Sequence, residues 1–398
     1  LSRGKLAIIV ISLAFLAAGG ACAESVFSVN GIGETIFGVD ARGMAMGGAG
    51  LANPSPWHIS LENPALLARI ERFSFGAALV PETRNIELED SEKSASFAYF
   101  PFLRLTHGLP GGITGAAAIG SLHRVSYRLE ERRVQDDLVI VDEHGGEGGP
   151  GFVSIALAGS PSERIMIGAE LRVLLGTIED TRTLRYVGEP ALQTRDVVKS
   201  SFGGEPLGRL GMYVDLGGGF GVGGFYQFSR VMDVRTTHYT REARAKEAVN
   251  NLTYPAMGGV GVSYRTGERG SLTAEWHRSA WGQTGGLAGY NGEMTDADRV
   301  SIGAEYAFGD DYRIPLRVGY LWRELSYRIS SASEAPTEFA VTGGFGLPFR
   351  QENGSFDVSV QIGARGDVET YGARERFLRF TLSMVGTEFL EHLIPGTE

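Results

Sequence analysis

Seven histidines, at positions 58, 107, 123, 144, 238, 277 and 392, are scattered through this chain, and none stands at a metal-ligand spacing from another. Zinc sites need closely spaced imidazole or thiolate groups, so no metal site is expected. The acidic run Asp136, Asp137, Asp142, Glu143 and Glu147 carries the oxygens that Ca²⁺ accepts, but it reads first as a solvated loop. Gly217 to Gly224, GGGFGVGG, has the glycine density of a phosphate cradle. It lacks the Lys-Ser/Thr pair that such a cradle requires, and it falls across a tight turn between two strand-like segments. No G-x-S-x-G elbow occurs. The residues therefore predict neither an enzyme nor a cofactor.

What organises the chain instead is the stretch Ala41 to Leu67, ARGMAMGGAGLANPSPWHISLENPALL. It is too broken by Gly and Pro for one long helix and too irregular for a strand. Its distinctive positions are Met44, Gly47 and Gly48, then Asn63, Pro64 and Ala65 at the head of a short apolar run. Trp57 and His58 read as packing residues beside Pro56. We read residues 24–70 as a plug and the rest as the wall around it.

The wall is legible in the pattern that follows. About 14 strand-like segments begin near Phe73, Ser94, Gly112, Gly151, Glu163, Gly208, Gly219, Ala256, Gly270, Arg299, Ile314, Glu338, Ser355 and Arg376. Many alternate: Leu378, Phe380, Leu382 and Met384 oppose Arg379, Thr381 and Ser383. A charge on the lipid face of a membrane strand is costly. By this parity Glu170, Arg172, Asp215, Glu275, Glu305, Arg317, Asp357 and Arg379 all fall on the other face, and Glu324 lies past the hydrocarbon band. A soluble sandwich would alternate too. Connection lengths separate the two: long ones, among them residues 177–207 and 230–255, alternate with turns of a few residues. Barrels of the outer membrane have that asymmetry, short turns at the periplasmic end and long loops outside. The long loops are expected to fold over the mouth, with a short cap helix over Thr240 to Asn251. Tyr226, Phe228, Tyr306, Phe308, Tyr320 and Trp322 stand where interfacial girdles would. Fifty-seven glycines, about twice the usual share, fit a tightly curved sheet.

An address precedes the plug. Arg3 and Lys5, the apolar run Leu6 to Ala18 and Ala21-Cys22-Ala23 form a secretory signal over residues 1–23, with cleavage after Ala23. The run is too short to span a bilayer as a helix. Removing it takes the single cysteine and changes the net charge from −10 to −12. An acidic chain without a basic stripe excludes nucleic acid as a partner. The expected parts are thus signal, plug, a wall over 71–386 and a tail over 387–398.

The segment GMAMGGAGLA followed by ENPALL resembles the long-chain fatty acid outer-membrane transporter (FadL) family and its PorV-type relatives. So does the ending, with Gly344 to Pro348, DVSVQIGARG and RERFLRFTLSM. The resemblance implies an all-β, 14-stranded antiparallel transmembrane barrel with an N-terminal hatch in its lumen. It implies passive uptake of hydrophobic compounds, fatty-acid-like or aromatic, with a hatch shift and sideways exit beside a kinked third strand. Met44, Gly47, Gly48, Asn63, Pro64 and Ala65 would form the hatch motif. Gly111, Gly112 and Gly115 are where a kink would fall. Partners would be hydrophobic small molecules, outer-membrane lipid and lipopolysaccharide, and the barrel-assembly machinery that inserts such walls. The PorV-type alternative is a barrel that binds proteins in secretion or surface attachment. Where family members end on an aromatic strand residue, this chain continues for nine residues after Phe389.

Overall fold

The computed structural model describes residues 25–29, 31–55, 57, 59–70, 72–135, 138–189, 192–240, 246–284, 293–309, 313–328, 332–349 and 354–387. The signal with Cys22, His58 and the tail lie outside the described residues. The chain is a closed antiparallel barrel of 14 wall strands. A leading segment, residues 25–70, runs inside it with one short strand, β1 (Glu34–Thr35), and one short helix, α1 (Ala41–Ala45).

The wall starts at β2 (Ser74–Leu88). Its second position is shared by β3 (Glu92–Tyr99) and β4 (Phe102–Leu109), which pair with the upper and lower parts of β2. Its third is shared by β5 (Ile113–Ser121) and β6 (His123–Gln135). Three long strands follow: β7 (Leu138–Ser162), β8 (Ile165–Tyr186) and β9 (Thr194–Gly217). Then β10 (Phe220–Gln227) and β11 (Arg230–Tyr239) form the seventh position, and β12 (Lys246–Tyr254) and β13 (Met257–Thr266) the eighth. After β14 (Gly270–Ser279) and the short β15 (Glu293–Met294) come β16 (Ala297–Phe308) and β17 (Ile314–Glu324). The short β18 (Tyr327–Arg328) pairs with β15 above the wall. The last wall strands are β19 (Thr337–Pro348), β20 (Gly354–Asp367) and β21 (Ala373–Thr387), and β21 pairs with β2 to close the ring.

The alternating side chains sort as lipid requires. Ile155, Leu157, Ile302, Val318, Val341 and Ile362 are each more than half exposed on the outer face. The inner face takes the charges: Glu170, Arg172, Glu275, Arg317, Asp357 and Arg379 are buried, and Asp215 and Glu305 nearly so. An apolar belt outside a closed barrel and a polar interior define a transmembrane barrel rather than a sandwich, whose interior would be dry. Glu324 ends β17 and accepts a hydrogen bond from the Asp298 N–H at 3.1 Å.

Two expectations for the connections fail. Most of 177–207 and 230–255 is strand, as β8, β9, β11 and β12 continue past the belt, with one register shift between β8 and β9 at Val173 to Leu175. The cap helix is absent as well: residues 246–251 belong to β12, and 241–245 lie outside the described residues. Cross-strand packing decides this against helix propensity. Met232, Val234, Leu252 and Tyr254 turn inward with Phe202, and together they cover Phe27 and Ile32 of the leading segment.

Candidate functional site

Asn63 explains why the plug motif needs its residue types. Its side-chain oxygen accepts from the Ala65 N–H at 3.0 Å, capping the 3₁₀ turn Pro64–Arg69, where Pro64 has no N–H to leave unpaired. Its amide nitrogen donates to Leu51 O at 2.8 Å within the plug and to Met212 O of β9 at 3.0 Å. One side chain thus folds the plug and fastens it to the wall. Ala65 is fully buried against Met166 and Tyr213, and Met44 is buried elsewhere in the plug, beside Gly48. Gly47 and Gly48 have φ of 74° and 85°, values that side chains resist, and they turn the chain after α1. Asp40 caps α1 by accepting from the Gly43 N–H at 2.8 Å.

The wall meets the plug with glycines and carboxylates. A Cβ at Gly319 would stand 2.3 Å from Gly47 N, at Gly223 2.1 Å from Leu51 O, and at Gly211 2.2 Å from Asn63 Oδ1. Gly168, Gly303 and Gly344 likewise face Pro64, Met46 and Ala45. The glycine excess is therefore more than curvature: it is a seat that lets plug backbone touch wall backbone. Glu275 accepts from the Gly50, Leu51 and Ala52 N–H groups at 2.9, 2.8 and 3.3 Å. Arg42 grips Glu305 through two nitrogens at 3.1 and 3.0 Å. Arg209 donates to Leu61 O at 2.9 Å, and Arg299 pairs with Glu62 at 3.0 Å. Burial opposes ionisation of Glu62, but Arg299, His277 and Arg209 outweigh it and hold its carboxyl down to about 2.

The part of the plug ahead of residue 39 is held differently. β1 pairs with β6, Glu34 opposite Arg124 and Thr35 opposite His123. Arg84 binds Glu34 through both terminal nitrogens, and Arg365 stands 3.2 Å from it. Burial again raises the Glu34 carboxyl, and Arg365, Arg84 and Arg124 together bring it well below the ordinary carboxylate range. On one side of this segment lies a cavity of about 130 Å³. Phe152, Phe225, Tyr254, Trp281 and Tyr327 line it, with Arg209, Arg299 and Arg323 across from them. The guanidinium of Arg209 lies 4.6 Å from the Phe225 ring centroid, and Phe37 sits between Arg299 and Arg323 at 4.5 and 4.7 Å. On the other side lies a space of about 20 Å³, which borders Glu34 to Phe37, Tyr99, Pro101 and Arg124.

That second space backs onto a break in the wall. β4 and β5 pair along their whole length, but above them β3 pairs only with β2, and β6 only with β7 and β1. Among the described residues no ladder joins β3 to β6. The interruption falls at Phe100-Pro101 on one side and Leu122 on the other. Gly111 and Gly112 do not supply it: they form the turn between β4 and β5, and Gly115 is a regular member of β5 opposite His107 and Leu157. Opposite the interruption, Gly148 and Gly149 of β7 have φ of 104° and 138°, and a Cβ on Gly149 would stand 2.2 Å from His123 O, so glycine is what lets β6 lie this close. Sequence reasoning also passed over Glu34, Arg124 and Glu275's role. Inward parity marked Glu275 as a lumen charge, but nothing local marks the other two.

Fold and site define a class of protein: a transmembrane β-barrel stoppered by its own N-terminal segment, with an unpaired seam in its wall. Several solved structures share this fold. The CymD monoaromatic hydrocarbon channel is 17% identical, with a TM-score of 0.58, 89% of this chain covered and 98% of that one. A Pseudomonas aeruginosa FadL homologue is 10% identical, with a TM-score of 0.63 and coverage of 89% and 99%. The Ralstonia pickettii toluene transporter TbuX is 15% identical, with a TM-score of 0.57 and coverage of 91% and 100%. At these identities the likeness is one of fold. No curated protein sequence matches the chain. The chain belongs to the BamG family, which its residues 3–212 match.

Proposed function

We propose that this protein is a channel of the bacterial outer membrane for passive uptake of small hydrophobic compounds, single-ring aromatics foremost. The observation that carries the reading is the position of Glu34 to Phe37, four residues that separate an aromatic cavity from an unpaired seam in the wall. A compound entering from the long-strand end would rest among Phe225, Tyr254 and Trp281. It would leave sideways into lipid once Glu34 to Phe37 moved aside. At about 130 Å³ the space has the size of one ring rather than of a long acyl chain, and its lining mixes aromatic faces with the charged groups of Arg209, Arg299 and Arg323. The CymD and TbuX channels, which carry a monoaromatic hydrocarbon and toluene, support the same class of cargo. In this reading Met44, Gly47, Gly48, Asn63, Pro64 and Ala65 form the seat of the hatch, and the segment ahead of them is the part that moves. Lipid and lipopolysaccharide surround the belt, and the signal is removed after Ala23.

A second reading is a barrel that binds protein partners, in secretion, surface attachment or barrel assembly. Two features favour it: the two spaces are separate cavities of about 130 and 20 Å³ with Glu34 to Phe37 between them, and the family name BamG points to the barrel-assembly machinery. Uptake of labelled toluene and oleate by cells carrying or lacking the protein separates the readings. The channel reading expects protein-dependent toluene entry. If neither compound enters faster and the protein purifies with assembly components, the second reading takes its place.

A further inference from the structure

We infer that Arg124 is the specificity-determining residue of the sideways exit, favouring cargo with an aromatic face over saturated cargo of the same size. The inference rests on the channel reading above. Along the seam, where backbone pairing stops, a side chain makes the closure. Arg124, opposite Glu34 in the β6–β1 ladder, reaches across to β3. Its guanidinium carbon stands 3.7 Å from the Phe97 ring centroid and 5.2 Å from that of Tyr99. Phe97 is itself fixed, because Arg84 lies 4.9 Å from the same ring and is tied to Glu82 and Glu34. The Arg124 contact is therefore the one that must yield when something passes.

Arg124 and Tyr99 also border the small space just inside the seam, together with Glu34 to Phe37. Cargo released by that segment reaches the guanidinium before it reaches lipid. Separating a cation from a ring face slows passage by roughly twofold to thirtyfold, depending on how dry the site is. An aromatic cargo supplies a ring face of its own, so the contact is exchanged rather than lost. A saturated ring of equal bulk offers nothing in return and meets the whole barrier.

Toluene and methylcyclohexane differ in this property and little in volume. The test is uptake of each, labelled, into cells with an intact lipopolysaccharide layer that carry the wild-type protein, Arg124→Lys or Arg124→Gln, with folding checked by heat-modifiable migration. The wild type is expected to favour toluene by about three- to thirtyfold. Arg124→Lys should keep part of the preference, and Arg124→Gln should bring the ratio near one while both compounds still enter. A wild-type ratio near one, or an unchanged ratio in Arg124→Gln, overturns the inference and leaves the channel reading standing. Should Arg124→Gln fail to fold, an undiminished ratio in Arg124→Lys overturns it equally. Absence of protein-dependent entry for either compound sinks the channel reading itself.

Discussion

The two halves of the plug are attached by different physics. From Ala41 to Ala65 the attachment runs chiefly along the backbone: wall glycines receive it at contact distance, Glu275 takes up its N–H groups, Asn63 donates to Met212 O of the wall, and Arg42 and Glu62 add ion pairs with Glu305 and Arg299. From Ser25 to Gly38 it rests on side chains: Phe27 and Ile32 packed under the long strands and the charged cluster around Glu34, with a two-residue ladder and a few backbone bonds. Backbone seated against backbone yields only if many atoms move at once, whereas side-chain contacts can be released in turn. The plug thus combines a fixture with a latch. Deletion of residues 42–67, which leaves a wall of inward charges, should give a folded but leaky barrel.

The strongest way to break the contrast is to give the seat a side chain. Gly319→Val puts a carbon where Gly47 N already is, so the barrel should either fail to fold or close without the plug. Heat-modifiable migration and bilayer conductance would show which; a folded, silent barrel would refute the fixture. Next in size is Glu275→Ala, which leaves the Gly50, Leu51 and Ala52 N–H groups buried without their acceptor. A loss of about 3 kcal/mol or more is expected in urea unfolding, with higher conductance. Loss below ~0.5 kcal/mol would mean that water replaces the carboxylate.

The smallest effect concerns pH, which acts on one buried carboxylate in each half, Glu34 and Glu62. Glu34 and Glu62 are held ionised below their unfolded values, Glu62 down to about 2. A depressed carboxyl contributes stability that is full above its unfolded pKa of about 4.3 and is lost as pH falls through the folded value. Conductance should accordingly stay flat from about pH 8 to 5 and rise between about 4 and 2. A rise already near pH 6 would place control in a histidine instead.

The barrel was legible because lipid enforces a period of two: outward Leu378 and Phe380 and inward Arg379 and Thr381 can be read directly from their order. Most strand starts survived for the same reason, but Gly151 and Gly208 fall inside β7 and β9, which begin at Leu138 and Thr194. Strand ends did not. Beyond the belt both faces of β8 and β9 carry Thr, Glu, Lys and Arg, which reads as loop until the neighbours that pair with them are known. The seat was half legible, since Gly211, Gly303 and Gly319 are glycines in otherwise regular strands. Their common purpose needs the ring closed to be seen. The seam was misplaced because Gly111-Gly112 and Gly148-Gly149 look alike in one dimension, although one makes a turn and the other lies inside strand β7.

β1 completes the ladder of β6 that β3 leaves empty, so part of the circumference is built from the stopper. Hydrocarbon offers no donor or acceptor to a bare strand edge, and each such group left unmatched there costs several kcal/mol. Displacing Glu34 and Thr35 therefore loads a spring. On the channel reading proposed above, reseating is then downhill, and the barrel would reset itself after each passage without nucleotide, proton gradient or helper protein.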